Sequence, residues 1–158
     1  MKGEIERLAN QIISSLGEQS IAEIYRQQVR ADRTRRYELP SPARKGQPQV
    51  EIMHTLLGIE LKIGRRRLTC PDLSTARYLS VFLRLGVAAV ALPYDITRLA
   101  RLADDLESSW FRMTMLADNE TQGMDPRLTT RLVRRLIELQ REEVAIMGPG
   151  PIAPRFNR

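Results

Sequence analysis

The amino-acid sequence predicts an α+β fold, in which a small three-stranded sheet packs against helices and follows an N-terminal helical hairpin. Three observations lead to this fold class. Two short stretches on either side of Gly64 alternate apolar and polar residues, a helical pattern follows them, and an apolar run returns at residues 87–92. We therefore expect a β-hairpin, a crossover helix and a third strand in one sheet.

Composition supports a folded domain without cofactors. A chain of 158 residues is long enough to bury a core without disulfides or metal. The single cysteine, Cys70, cannot form an internal disulfide, and the N-terminus lacks the apolar block of a secretory signal. No apolar run approaches the roughly 18 to 20 residues that cross a bilayer. We expect a cytoplasmic protein with no membrane span.

The N-terminal residues predict two helices. Apolar side chains from Ile5 to Leu16 recur at helical spacing, and Gly17 is suited to end that helix. Ser20 and Glu23 form a capping-box pattern that begins a second helix, which we extend through Arg36. We interpret residues 1–37 as a helical arm folded into a hairpin.

A boundary follows the arm. Residues 38–48 contain three prolines, a glycine and no periodicity, which is typical of an extended linker. The α+β core is then expected at 49–147, and the Pro- and Gly-rich residues 148–158 predict an extended or disordered tail. Residues 50–57 begin the core with apolar residues at helical spacing, and a strand is the alternative.

The centre of the chain contains the sheet. Ile59, Leu61 and Ile63 alternate with polar residues, and Gly64-Arg65 fits a two-residue turn. Pro71 and Asp72 begin a helix that ends at Gly86. A crossover helix predicts a third strand parallel to residues 66–70. Either the first hairpin strand or the doubly apolar third strand occupies the centre of the sheet.

Two long helices complete the predicted fold. Asp95 is suited to cap the first, whose outer face carries Asp104, Asp105 and Glu107. Asp125-Pro126 begins the second, which continues to about Met147. The leucine stripe of this last helix faces inward, and its arginines lie on the other side.

Catalytic residues are scarce. The single histidine, His54, has no predicted partner, and Cys70 ends a strand on its apolar side. One histidine and one cysteine do not supply the ligands of a zinc site. We therefore assign no catalytic residue, no metal site and no cofactor.

Basic clusters are the best candidates for a binding site. The net charge is +6, although residues 95–122 contain six acidic and three basic side chains. Arginine and lysine side chains at a hairpin tip or along a helix can bind phosphates or carboxylates. The candidate residues for nucleic acid or an acidic partner are Lys62, Arg65, Arg66, Arg67, Arg127, Arg131, Arg134 and Arg135.

These patterns favour a non-enzymatic binding or assembly protein that acts through protein–protein interaction, including self-association as a homo-oligomer. The alternative is a basic nucleic-acid-binding protein that contacts the phosphate backbone through the two arginine clusters. The hairpin strands carry no aromatic residue on their polar face, so base stacking is not expected there. An enzyme with an unrecognised site is the second alternative.

Overall fold

The computed structural model describes residues 2–40 and 49–150, which form an α+β fold. Within these ranges there are four helices, a three-stranded antiparallel sheet and a two-stranded antiparallel sheet, so the predicted fold class is confirmed. No helix in the described chain is long and apolar enough to cross a membrane.

Three helices follow a bent N-terminal helix, α1, whose parts are given below. These are α2 (Leu73–Leu85), α3 (Ile96–Glu120) and α4 (Pro126–Met147). The strands are β1 (Thr34–Glu38), β2 (Val50–Thr55), β3 (Gly58–Ile63), β4 (Arg66–Cys70) and β5 (Ala89–Pro93).

The N-terminal helix α1 is one bent helix, so the predicted helical hairpin is wrong. Its first limb is Lys2–Leu16, and a 3-10 turn over Gly17–Gln19 leads to a second limb made of Ile21–Ile24 and the π-helical turn Tyr25–Val29. The predicted capping box is present, because Ser20 Oγ accepts a hydrogen bond from the Glu23 N–H. The limbs do not fold back on each other because both pack against α3 and α4.

The chain leaves the helix after Val29, and the predicted helix through Arg36 gives way to strand β1. β1 pairs with β5 in an antiparallel ladder that places Arg36 opposite Ala91. The prediction that β5 is a parallel third strand of the hairpin sheet is therefore wrong. The doubly apolar composition of β5 reflects burial on both faces, with Val90, Ala91 and Leu92 all in the core.

The third strand of the larger sheet is β2, so the strand alternative for residues 50–57 is correct. β3 lies between β2 and β4, and all pairs are antiparallel. The hairpin of β3 and β4 turns at Gly64-Arg65 as predicted, with Gly64 at a φ of 61°. Local hairpins close short loops, which costs less chain entropy than a crossover connection.

Helix α2 links the two sheets. The Asp72 carboxylate accepts a hydrogen bond from the Thr75 N–H at its start, and Gly86 ends it with a φ of 87°. α2 packs on the three-stranded sheet and on α3. The ring of Phe82 contacts two tyrosine rings. Its centroid lies 5.0 Å from that of Tyr78, also on α2, and 5.5 Å from that of Tyr25 on α1.

The predicted domain boundaries stay a prediction. Residues 41–48 of the proposed linker and residues 151–158 of the proposed tail lie outside the described residues. Glu38, the first residue of the proposed linker, is the last residue of β1. Through β1, the chain before the proposed linker is hydrogen-bonded to β5.

Candidate functional site

The hairpin-tip cluster consists of Lys62, Arg65, Arg66 and Arg67 around the β3–β4 turn. Lys62 and Arg67 lie on one face of the sheet, and Arg66, paired with Ile63, lies on the other. Lys62 lies opposite Arg67 in the ladder, and opposite Glu51 on the other side. Arg67 forms an ion pair with Glu60 at 3.4 Å. Two acidic residues, Glu51 and Glu60, thus neighbour the two basic residues on this face of the sheet. Arg65 and Arg66 are exposed, with no ion-pair partner among the described residues.

The last-helix cluster consists of Arg127, Arg131, Arg134 and Arg135 on α4. The first three are exposed and have no ion pair within the described chain. Arg135 is partly buried and binds Glu6 of α1, with Glu138 and Glu142 at 3.1 and 4.0 Å. Hydrogen bonds from Arg135 to Glu6 and Glu138 raise the pKa of its guanidinium. Arg135 therefore joins α4 to α1.

A shallow cavity of about 420 Å³ lies between these two helices. Its lining residues are Ile5, Glu6, Arg131, Arg134, Arg135 and Glu138. The hairpin-tip cluster lies elsewhere, on a sheet that packs against α2, whereas α4 packs mainly against α1 and α3. The fold therefore places the two arginine clusters on elements that share no extensive contact.

The acidic face of α3 binds an arginine of α2. Arg77 Nε lies 3.2 Å from both carboxylate oxygens of Glu107, and Arg77 Nη2 lies 2.5 Å from Asp104 Oδ1. The hydrogen bonds to Glu107, and then those to Asp104, raise the pKa of Arg77. This group stabilises the packing of α2 on α3.

The potential catalytic residues, His54 and Cys70, lie in one cross-strand row of the sheet, with Ile59 of β3 between them. His54 is exposed on β2 and makes no side-chain hydrogen bond in the described residues. Cys70 is buried, and this burial, with a smaller contribution from the Asp72 charge, raises the pKa of the thiol to about 11. A thiol with such a pKa is protonated at neutral pH and is a poor nucleophile. Residues 2–40 and 49–150 contain no cluster of three metal-ligating side chains.

The sequence patterns did not reveal an exposed apolar turn between β2 and β3. Leu56 is fully exposed and Leu57 is 90% exposed. Thr55 Oγ1 accepts a hydrogen bond from the Leu57 N–H and donates one to the Gly58 carbonyl, at 3.2 and 3.1 Å. The apolar residues of 50–57 recur at helical spacing, and a helix would bury Leu57. This spacing therefore gives no sign of the turn.

A second surface, around Tyr94, has no signature in the sequence. The ring of Tyr94 lies beside Arg33 and Arg35, with guanidinium carbons 5.4 and 6.0 Å from its centroid. These residues are far apart in sequence, and only the β1–β5 ladder brings them together. No spacing rule in the sequence predicts this pairing.

A second cavity, of about 580 Å³, lies where the bend of α1 meets α4. Its polar wall includes Glu18, Glu23, Glu142 and Glu143. Buried Gln140 accepts a hydrogen bond from the Ala22 N–H at 3.0 Å and so caps the second limb of α1. This glutamine therefore stabilises the helix bend.

The surfaces described above offer two kinds of contact. Leu56 and Leu57 offer apolar contact, and the exposed arginines offer positive charge. Binding is the chemistry that such groups support, since leucine side chains supply apolar contact and guanidinium groups hold phosphate or carboxylate. Comparisons of the chain with protein-family models, with curated proteins and with solved structures find no significant match.

Proposed function

We propose that this protein is a non-enzymatic binding or assembly protein that engages a partner protein through the β2–β3 turn. The observation that carries the proposal is the exposure of two adjacent leucines, Leu56 and Leu57, at the end of a β-hairpin. The partner that fits this turn is a protein with an apolar recess.

The leucines have no local structural role that explains them. Tight turns favour Gly, Asn, Asp and Ser, because these residues adopt the required backbone angles or hydrogen-bond the turn. Thr55 already supplies the hydrogen bonds in this turn, and Gly58 supplies the positive φ of 128°. Leu56 and Leu57 can therefore vary without loss of the turn.

The turn holds both leucines ready for contact. A backbone fixed by hydrogen bonds loses little conformational entropy on binding. Burying one leucine side chain contributes about 1.5–3 kcal/mol, so the pair contributes about 3–6 kcal/mol. This contribution is typical of the few anchor residues that dominate an interface.

Site-specific photo-crosslinking tests this proposal. A benzophenone amino acid is placed at position 57, or at position 146 as a matched control, since Ile146 is also exposed, at 79%. In cells that naturally produce the protein, we expect a discrete crosslinked species from position 57 that is absent from the control. The Leu56→Ser change in the position-57 protein should abolish it. Equal crosslinking from both positions would contradict the proposal.

Sedimentation velocity of the purified chain identifies whether that partner is a second copy. A dimer that the Leu56→Ser/Leu57→Ser variant dissociates would make the partner a second copy. A monomer at all concentrations, together with a position-57 crosslink, would assign a different protein. A dimer unaffected by the variant would contradict a role of the turn in self-association.

Binding to nucleic-acid backbone is the second candidate function. It is supported by exposed arginines that form no ion pair with any residue the structure describes, namely Arg65, Arg66, Arg127, Arg131 and Arg134. Each arginine that neutralises a phosphate increases the salt dependence of binding. The Arg65→Ala/Arg66→Ala/Arg67→Ala variant should therefore show a reduced salt slope on a polyanion, and an unchanged slope would contradict this candidate.

A further inference from the structure

Tyr94 is a partly exposed aromatic ring beside two arginines. It follows β5 directly, and its backbone N–H donates a hydrogen bond to the Arg33 carbonyl at 3.3 Å. This pairing places Arg33 opposite Tyr94 and Arg35 diagonal to it on the same face of the ladder. Tyr94 is 48% exposed, and both arginines are exposed.

No carboxylate in the described chain forms an ion pair with Arg33 or Arg35. The nearest acidic residues in sequence are engaged elsewhere. Asp32 binds Arg98 at 2.8 Å, and Asp95 accepts the Thr97 N–H at the start of α3. Arg36, on the other face of β1, binds Glu38. The face of the β1–β5 ladder that carries Tyr94 therefore has two positive charges, on Arg33 and Arg35, that no carboxylate of the described residues neutralises. A bound anion would reduce the repulsion between them.

We propose that Arg33, Arg35 and Tyr94 form a binding site for single-stranded nucleic acid. A base stacks on the Tyr94 ring, and the two guanidinium groups turn from the ring to the flanking phosphates. An exposed aromatic ring next to cations is the combination that single-strand binding uses, because every base has a face that can stack. Paired strands hide that face, so duplex gains only the phosphate contacts.

The ladder gives this site a defined geometry. Arg33 and Tyr94 are held across from each other by backbone hydrogen bonding, and Arg98 fixes the preceding loop through Asp32 and the Gln28 carbonyl at 2.9 Å. This site is separate from the two arginine clusters of the backbone-binding candidate. It adds base stacking and a preference for single strands.

The test is fluorescence anisotropy with labelled oligo(dT) of about 12 nucleotides, within the usual size of a single-strand site, and with a duplex of equal length. Oligo(dT) should bind more tightly than the duplex. Tyr94→Ala should weaken oligo(dT) binding about 5-fold to 160-fold, the range typical of one stacked base. Tyr94→Phe keeps the stacking face and should bind within about two-fold of the unmodified protein.

Arg33→Ala/Arg35→Ala removes two phosphate contacts and should reduce the salt slope by about 1.4, at about 0.7 per phosphate on single strands. The Arg65→Ala/Arg66→Ala/Arg67→Ala variant is the matched control, and it should leave the preference for single strands unchanged. Thermal unfolding of each variant checks that the fold is intact.

Three results would overturn the assignment. These are equal binding of single strand and duplex, unaltered oligo(dT) binding by folded Tyr94→Ala, or equal loss in Tyr94→Phe and Tyr94→Ala. Loss of binding in the hairpin variant alone would support the backbone candidate and refute this site. Loss of oligo(dT) binding in the Tyr94→Ala and Arg33→Ala/Arg35→Ala variants alone would support this site and refute the backbone candidate.

Discussion

Ala91 in the middle of β5 has both backbone polar groups bound by tyrosine hydroxyls. Tyr78 Oη donates to the Ala91 carbonyl at 2.6 Å, and Tyr25 Oη accepts from the Ala91 N–H at 2.9 Å. Tyr25 Oη also donates to the Gly148 carbonyl at 2.6 Å. Ala91 lies opposite Arg36 at a position where its polar groups point away from β1. The two tyrosines therefore supply hydrogen-bond partners for Ala91 on the edge of β5 that faces away from β1.

Tyr78→Phe should destabilise the protein, because it leaves the buried Ala91 carbonyl without a partner. An unsatisfied buried backbone group costs about 1–3 kcal/mol. Urea unfolding should therefore show a loss of this size. Tyr37→Phe is the control, since the Tyr37 hydroxyl makes no hydrogen bond within the described residues, and it should change stability by less than about 0.5 kcal/mol. Equal losses in both variants would contradict the assigned role of Tyr78.

Cys70 makes stability depend on alkaline pH. Burial raises the pKa of its thiol from the ordinary value of 9.0 to about 11, so the folded chain holds the proton more tightly than the unfolded chain. This contribution is complete below pH 9.0 and is lost as the pH rises through about 11. Cys70→Ala should therefore lose less stability over this range in urea unfolding. Parallel pH profiles for the two proteins would contradict a buried, protonated thiol.

At the scale of elements, the local patterns were good predictors. The hairpin at Gly64, the helix between Asp72 and Gly86, and both long helices follow directly from alternation, capping residues and periodicity. The bend of α1 depends on packing against α3 and α4, and the partner of β5 is a strand more than 50 positions earlier in the sequence. No local pattern contains such long-range information, so the predicted helical hairpin and the predicted place of β5 in the hairpin sheet were wrong. β3, one of the two strands proposed for the centre of that sheet, does lie there.

The β1–β5 ladder can be tested with a pair of proline variants. The Leu39 N–H donates a hydrogen bond to the Ala88 carbonyl. Hydrogen-bonded pairs alternate along an antiparallel ladder, so the Tyr37 N–H also donates to β5, whereas the Arg36 N–H does not. Tyr37→Pro removes a ladder hydrogen bond and should cost about 3 kcal/mol, by analogy with helix interiors. Arg36→Pro should cost clearly less in thermal unfolding. The reverse order would contradict the register.

At the scale of the whole molecule, the arginines differ in whether they form ion pairs and in whether those pairs join helices. Arg77 and Arg135 join helices through carboxylates and stabilise the packing. Others, including Arg33, Arg35, Arg65 and Arg66, are exposed and lack ion pairs within the described residues. The two arginine clusters stay a prediction as binding sites, and the sequence did not distinguish Arg135, whose partner Glu6 lies at the other end of the chain. Such distinctions depend on tertiary contacts.

The segment before residue 39 contributes to the fold through both α1 and β1. Its deletion would uncover α3 and α4 and remove the partner of β5. Tests of association are therefore best made with point substitutions at exposed positions. Leu56 and Leu57 are such positions, because they contribute no buried contact to the fold.

The central claim is that Leu56 and Leu57 serve partner binding and are dispensable for folding. The most direct measurement compares the protein with its Leu56→Ser/Leu57→Ser variant, both carrying the photo-crosslinker at Thr69, an exposed position on the same sheet. Thermal unfolding and crosslinking are recorded for both proteins. We expect stability to change by less than about 0.5 kcal/mol, as at exposed sites, while the crosslinked partner is lost. Retained crosslinking would contradict the role in partner binding, and a large loss of stability would contradict dispensability for folding.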